Sequence, residues 1–290
     1  MKIVVADPAK NITVFVLDHV EDPMERSVLA QAILAEKSLK AEQVGFVIPP
    51  EEENSGAESG DCQNKRLGRR QNRGIWRLEM AGGEFCGNAA RSFGLYLAGL
   101  KNLKGKAKVL VSISGAEEPV SVKVDTGRNF ASAEMPKPTA EGSLDYKCAA
   151  LPVYVFEGIT HVIAPDIIPS VESFSAIKLL TEKNYYAAGL STPAAIGVMF
   201  FDTVSRFMCP VVFVRAASSL VFESSCGSGS AALGIWLSRE LNDGVFRFPI
   251  AQPGGIIETV VTRKAGKLSL VTIGGEVILK APLDRDFCFT

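Results

Sequence analysis

Glu84-Phe85-Cys86-Gly87-Asn88-Ala89-Ala90-Arg91-Ser92-Phe93-Gly94-Leu95-Tyr96-Leu97 reads as a turn feeding a helix, with Phe93, Tyr96 and Leu97 on one face. A second stretch has the same form: Ser224-Ser225-Cys226-Gly227-Ser228-Gly229-Ser230-Ala231-Ala232-Leu233-Gly234-Ile235-Trp236-Leu237. Aligning Cys86 with Cys226 pairs Gly87 with Gly227, Gly94 with Gly234 and Leu97 with Leu237. Phe93/Leu233, Leu95/Ile235 and Tyr96/Trp236 are apolar at both places. Upstream, Asn11-Ile12-Thr13-Val14 matches Gly158-Ile159-Thr160-His161 in character. The period is far too long for a solenoid, so this internal duplication predicts two similar domains related by a pseudo-twofold.

The flanking elements follow in matching order. Lys2–Val5 and Ile12–Leu17 read as β-branched strands around a turn at Asp7-Pro8. Met24 to Ala41 is a helix candidate, with Leu29, Ile33 and Leu34 at helical spacing. Strands follow at Val44–Ile48 and Ile75–Met80, then at Lys108–Ser114, Val120–Val124 and Phe130–Met135 after the first cysteine helix. The second part repeats the theme, with strands at Val153–Phe156, Thr160–Ile163, Ile196–Phe201 and Pro210–Val214, and a helix at Ser170–Glu182. The fold class is α/β. Between the two halves of the first part, Glu51 to Gly74 is polar, first acidic and then basic. It reads as a long exposed, self-neutralising loop, placed where it could act as a lid. Its basic run, Lys65 to Arg73, lacks the aromatic interleaving that nucleic-acid binding requires.

Composition narrows the function classes. The 290 residues are 47% hydrophobic and 22% charged with a formal net charge of -1, so no global field attracts nucleic acid or an anionic membrane. The most apolar stretch, Pro210 to Phe222, is broken by Arg215 and two serines, and no run reaches transmembrane length. Lys2-Ile3-Val4-Val5-Ala6 meets Asp7 at once, which does not read as a signal peptide, so a cytoplasmic location is expected. Six cysteines without a CxxC pair, and only two histidines, argue against a disulfide scaffold and against zinc. Cys148, Cys209 and Cys288 read as small buried hydrophobes, Cys62 as a loop residue, and His19 as a surface residue.

The matched pair is different. A helix N-terminus carries unsatisfied N–H groups and roughly half a positive charge. A cysteine there is expected to have its thiolate stabilised, with a pKa below the usual value of about 8.5. Gly87 and Gly227 let the backbone approach a ligand, and the N–H groups suit a carboxylate. Asn88 and Ser228 add polar side chains in the first turn. Two such ends set face to face would cradle a carboxylate with a thiol on each side. Inverting a stereocentre needs that arrangement, because one face loses a proton and the opposite face gains one. The helix ends stabilise the carbanion-like intermediate, so neither a metal nor a pyridoxal cofactor is called for.

Glu84-Phe85-Cys86-Gly87-Asn88-Ala89 and Ser225-Cys226-Gly227-Ser228-Gly229 resemble the two signatures of the diaminopimelate epimerase superfamily of cofactor-independent racemases. The resemblance covers nearly the whole chain. It implies two pseudosymmetric α/β domains, each a curled, mostly antiparallel sheet around a central helix, with the site in the cleft. Residues 1–127 with 275–290 would form one domain and 128–274 the other. By the same resemblance Asn11, in Pro8-Ala9-Lys10-Asn11, faces the substrate. His161 sits near the thiols and tunes them, although a core histidine is an equal reading. Gln252-Pro253-Gly254-Gly255 is similar to the family's late turn.

One departure bears on substrate. Diaminopimelate epimerases carry a Glu-Arg pair before the second cysteine, where this chain has Ala216-Ala217-Ser218-Ser219-Leu220, with Arg215 ending a strand. A distal zwitterion would be left unpaired. The chain is more similar to the histidine racemases of opine-type metallophore synthesis, which share Glu42-Gln43-Val44-Gly45-Phe46. That likeness implies that Glu42 accepts from an imidazole N–H, unless it is a surface carboxylate at a helix end. Gln43 would donate to substrate or cap a turn. The expected activity is amino-acid racemisation, histidine first, with Cys86 and Cys226 as acid and base. The alternatives are epimerisation of diaminopimelate or a proline-type substrate, and a ligand-binding or thiol-redox protein. The expected partner is a small amino acid, with no nucleic acid or membrane, and a homodimer is left open.

Overall fold

The computed structural model describes residues 1–50, 74–215 and 218–287. In chain order the first part holds β1 (Lys2–Asp7), β2 (Thr13–Val16), α1 (Pro23–Ala35), β3 (Gln43–Ile48), β4 (Arg77–Met80), α2 (Gly87–Leu100), β5 (Lys106–Ile113), β6 (Val120–Asp125) and β7 (Phe130–Glu134). The second holds β8 (Ala140–Tyr146), β9 (Ala149–Phe156), β10 (Ile159–Pro165), α3 (Val171–Ala187), β11 (Ala195–Asp202), β12 (Phe207–Val214), β13 (Ser219–Phe222), α4 (Gly227–Ser238), β14 (Gly244–Gln252), β15 (Gly255–Lys264) and β16 (Lys267–Glu276). Two short strands, β17 (Ile278–Leu279) and β18 (Leu283–Asp284), close the described chain.

The eighteen strands of the described residues join one mixed sheet. From β1 to β7 each strand pairs with the next. The directions run antiparallel, parallel across α1, antiparallel, parallel across α2, then antiparallel twice. From β9 the same series recurs: β10 antiparallel, β11 parallel across α3, β12 antiparallel, β14 parallel across α4, then β15 and β16 antiparallel. Each parallel step needs a crossover long enough for a helix, which is why a helix stands at each of the four. The two series meet where β16 pairs with β7, from Thr272 opposite Glu134 to Glu276 opposite Phe130. Strand β7 therefore lies at a seam, bonded to β6 on one side and β16 on the other. Beyond the seam the chain returns to the first part, where β17 and β18 pair with β1.

Burial explains the strand composition. In β1, Val4 and Ala6 enter one core with Phe93 and Leu97 of α2, while Ile3 and Val5 enter another with Leu29 and Ile33 of α1. Both faces are covered, so the strand reads as a continuous apolar run. In the second series, Met199 and Phe201 of β11 pack with Leu233 and Ile235 of α4, while Val198 and Phe200 pack with Phe174 and Ile177 of α3. Gly94 and Gly234 bring the cysteine helices onto the sheet. An added Cβ at Gly94 would lie 2.5 Å from Val122 Cγ1, and at Gly234 2.4 Å from Thr259 Cγ2.

Some expectations need correction. Helix α1 stops at Ala35, not Ala41. Asp22 caps its start, accepting from the Met24 N–H, and Leu39 reaches the core from a following turn whose Lys40 has φ 50°. Burying Leu39 does not require the helix to continue, because the turn already turns that side chain inward. Cys148 is exposed, because it sits in the turn between β8 and β9 beside Lys147 at φ 54°. Of the polar segment read as a loop, Glu51 to Gly74, residues 51–73 with Cys62 lie outside the described residues, as do Ala216, Ala217 and Cys288. Among the described residues no helix is long and apolar enough to cross a membrane.

Candidate active site

Cys86 is the N-cap of α2 and Cys226 the N-cap of α4, with near-identical backbones: φ −123°, ψ 113° and φ −125°, ψ 116°. Each sulfur takes the place usually held by a serine or aspartate oxygen. Cys86 Sγ accepts from the Ala89 N–H at 3.3 Å and Cys226 Sγ from the Gly229 N–H at 3.4 Å. The two helix starts abut. A Cβ on Gly227 would lie 3.5 Å from the Asn88 nitrogen and 2.6 Å from Ile273 Cδ1. A Cβ on Gly87 would lie 2.5 Å from Met135 Sδ and 2.8 Å from the same Ile273 methyl. The glycines are thus required for packing the two ends against the seam, a reason beyond the ligand approach expected from sequence.

A polar network spans the junction. Asn88 donates from Nδ2 to Asn11 Oδ1 at 3.1 Å and to Ser225 Oγ at 3.4 Å, while Arg91 Nε donates to its Oδ1 at 3.1 Å. Asn11 donates to Glu42 at 2.7 Å, and the other Glu42 oxygen accepts from Ser224 at 2.9 Å. Next in sequence, Gln43 Oε1 accepts from the Cys86 thiol at 3.0 Å and from Thr13 at 3.4 Å. Two adjacent residues at the start of β3 therefore reach both cysteine segments. Gln43 acts here as an acceptor. Asn11 and Asn88 are buried, whereas Glu42 stays exposed at the rim.

On the second side, His161 Nε2 bonds Ser228 Oγ at 2.8 Å, and that hydroxyl lies 3.6 Å from Cys226 Sγ. Burial pushes the imidazole down to about 3, so it is neutral near pH 7. Gln252 Oε1 accepts from the Cys226 N–H at 2.8 Å, and its Nε2 donates to Ser230 at 2.9 Å. The turn after Gln252 docks on the N-terminal loop. Gly254 donates to the Ser224 carbonyl, and a Cβ there would meet the Ala9 carbonyl at 2.1 Å. These contacts bring together Asn11, Glu42, Gln43, Cys86, Gly87, Asn88, His161, Cys226, Gly227 and Ser228. Two other residues lie elsewhere: Arg215 pairs with Glu182 of α3, and the exposed His19 pairs with Glu21.

The thiols do not titrate as helix position alone suggests. Burial pushes the Cys86 thiol up to about 11, and the Glu84 charge adds to this against the Ala89 N–H and Gln43. Burial also raises Cys226 well above its ordinary value, followed by the charge of Glu223. Glu223 is the residue sequence reasoning missed. It is half-buried three positions before Cys226 and pushed up to about 7 by burial, with the Cys226 thiol acting against this and Glu42 raising it further. The signal for it was a carboxylate one short turn before a cysteine that opens a helix. Among the described residues, no three His, Cys, Asp or Glu side chains converge as a metal site.

Comparison with known proteins fits this arrangement. A family model described as the histidine racemase CntK N-terminal domain matches residues 65–282. A histidine racemase from Fusobacterium nucleatum subsp. nucleatum is 31% identical over 267 residues, 88% of this chain and 87% of the relative. One from Staphylococcus aureus is 26% identical over 277 residues, 93% of this chain and 92% of the relative. A hydroxyproline epimerase from Agrobacterium vitis, solved with trans-4-hydroxy-L-proline, has a TM-score of 0.62 at 12% identity, covering 98% of this chain and 91% of that one. At that identity the likeness speaks to the fold alone. By the family model and the curated relatives together, the chain belongs to the histidine racemase CntK family.

Proposed function

We propose that this protein interconverts L- and D-histidine by moving a proton between Cys86, the substrate α-carbon and Cys226. The observation that carries the reading is the pair of N-cap cysteines on two abutting helix ends. In one direction the thiolate of one cysteine takes the α-proton, and the C–H electron pair passes into the carboxylate as an enediolate. The thiol of the other cysteine then delivers its proton to the opposite face, and the cysteines exchange protonation states. The first-turn N–H groups of α2 and α4 suit the carboxylate whose charge grows in this step. Because burial favours both neutral thiols, an incoming α-ammonium is the natural counter-charge for the working thiolate. Glu42, at the rim with both oxygens on the network, is the acceptor in reach for an imidazole N–H.

We also assign residues 1–127 with 275–290 to one domain and 128–274 to the other. The return of β17 and β18 to β1 supports a discontinuous first domain, while β7, bonded to β6, carries the first pairing series past residue 127. The deciding measurement is proton exchange at the histidine α-carbon in deuterated water, alongside chiral separation of the product. The wild-type protein should exchange and invert from either enantiomer without added cofactor. Cys86→Ser and Cys226→Ser should each lose inversion by about two or more orders of magnitude. Full inversion by both variants removes the two-thiol reading.

A further inference from the structure

The two series of strands bring their turns together in two equivalent places, and one of them is shut. There the β14–β15 turn, Gln252-Pro253-Gly254-Gly255, sits on the β1–β2 loop so closely that Gly254 has no room for a methyl group beside Ala9. The equivalent partners on the other side are the β5–β6 turn, Gly115 to Pro119, and the β9–β10 turn at Glu157-Gly158. These two stand apart, and residues of both line a cavity of about 350 Å³. Sites for small molecules span roughly 300–1,000 Å³.

The cavity reaches both cysteine segments. Its wall includes Phe85, next to Cys86, and Ser228, whose hydroxyl lies 3.6 Å from Cys226 Sγ. The charge on the wall has one sign. Glu117, Glu118 and Glu157 are exposed and Glu134 is half-buried, and among the described residues no Lys, Arg or His lines the cavity. Ser121 lines it too. That side chain is only 6% exposed, and among the described residues its Oγ has no hydrogen-bond partner. Val120 and Val122 enter the core with Phe93 of α2, so strand alternation turns Ser121 to the opposite face of β6. Val122 pairs with Ala133 of β7, which brings the next residue, Glu134, alongside Ser121. A buried hydroxyl without a partner is costly, and an N–H group shared between Ser121 and Glu134 removes that cost.

Four carboxylates attract a cation and repel a second anion. The Phe85 and Phe156 rings add a wall suited to a cation with an apolar body. We propose that this cavity binds a small organic cation without a carboxylate, a primary amine or an imidazolium, with its N–H groups on Glu134 and Ser121 and its body against the two rings. A free amino acid brings a carboxylate and belongs between the helix ends instead. The inference goes beyond the racemase reading and does not depend on it.

The test is isothermal titration of the full chain with histamine, which carries an amine and an imidazole but no carboxylate. The wild-type protein should bind one equivalent with a Kd of about 1 mM or tighter. Glu134→Gln, which keeps the shape and removes the charge, should weaken binding by about tenfold. Ser121→Ala, which removes the unpartnered hydroxyl and should fold at least as well, should weaken it by about threefold or more. Cys86→Ser and Cys226→Ser should bind histamine as the wild type does. Imidazole-4-acetate, with the ring and a carboxylate, should show no dependence on Glu134. The proposal is overturned by an absence of histamine binding at about 10 mM, or by unchanged affinity in both cavity variants. Loss of binding in the serine variants also overturns it, because the amine would then sit at the thiols. So does an equal effect of Glu134→Gln on imidazole-4-acetate. Racemisation by the serine variants is read separately, so either idea can fail alone.

Discussion

A cysteine at a helix start is pulled two ways, and this protein shows which pull prevails. Helix-end charge and N–H donation favour the thiolate, by up to about 2 kcal/mol in partly buried geometry. Desolvation opposes them and wins at both sites, leaving Cys86 at about 11 and Cys226 well above its ordinary value. The free enzyme near neutrality thus holds mainly thiols. The working form has lost one proton, so log kcat/KM should climb with a slope near one per pH unit from about pH 6 to 9. Glu223 adds a second effect of known sign. Below its value of about 7 it is a neutral acid, and above it the carboxylate raises the Cys226 thiol. Glu223→Gln should therefore lower the Cys226 alkylation midpoint by roughly one unit, measured above pH 7 where the charge is present. An unchanged midpoint there would show that Glu223 does not act on the thiol.

At the scale of elements, the duplicated motif repeats packing as well as chemistry. Gly94 and Gly234 hold the same place in their helices, and each faces a branched side chain of an equivalent strand, Val122 of β6 and Thr259 of β15. Both contacts leave no room for a methyl group. Gly94→Ala and Gly234→Ala should each destabilise the protein by about 1–3 kcal/mol in urea denaturation, since the β-branched neighbours have few rotamers to retreat into. Gly99, near the end of α2, has nothing within 4 Å of an added Cβ. Gly99→Ala should be neutral or stabilising by about 0.5–1 kcal/mol, through helix propensity alone. Equal losses at all three positions would mean that helix backbone effects, and not sheet contact, set the cost.

For the whole molecule, the site exists only where the two series of strands meet. Asn88 comes from α2, Asn11 from the loop before β2, Ser225 from the segment before α4, and Ile273 from the seam strand β16. A ligand held there binds the folded state alone and should raise its stability by about 2.7 kcal/mol at a hundredfold excess over Kd. Differential scanning fluorimetry should show that shift with either histidine enantiomer and a much smaller one with proline. Asn88→Ala should reduce the shift, because it cuts the link between the two sides. A larger shift with proline than with histidine would point to a different side-chain preference.

The sequence alone was enough to read the duplication, the cysteine caps and the α/β class, whereas the mixed strand directions came with the structure. Each rests on local information: turn residues, apolar period, and a motif that repeats in order. It named Asn88 and Ser228 from their first-turn positions and Asn11, Glu42, Gln43 and His161 through likeness to a family; in the structure Asn11 bonds Glu42 and Asn88, Gln43 bonds Cys86, and His161 bonds Ser228. Tertiary structure alone decided the direction of the thiol shifts and placed the Glu223 carboxyl where its charge raises Cys226. It also decided that Gly87 and Gly227 make room for Ile273. The reason is physical: desolvation and close approach belong to groups distant in sequence, and they have no magnitude until the chain has packed.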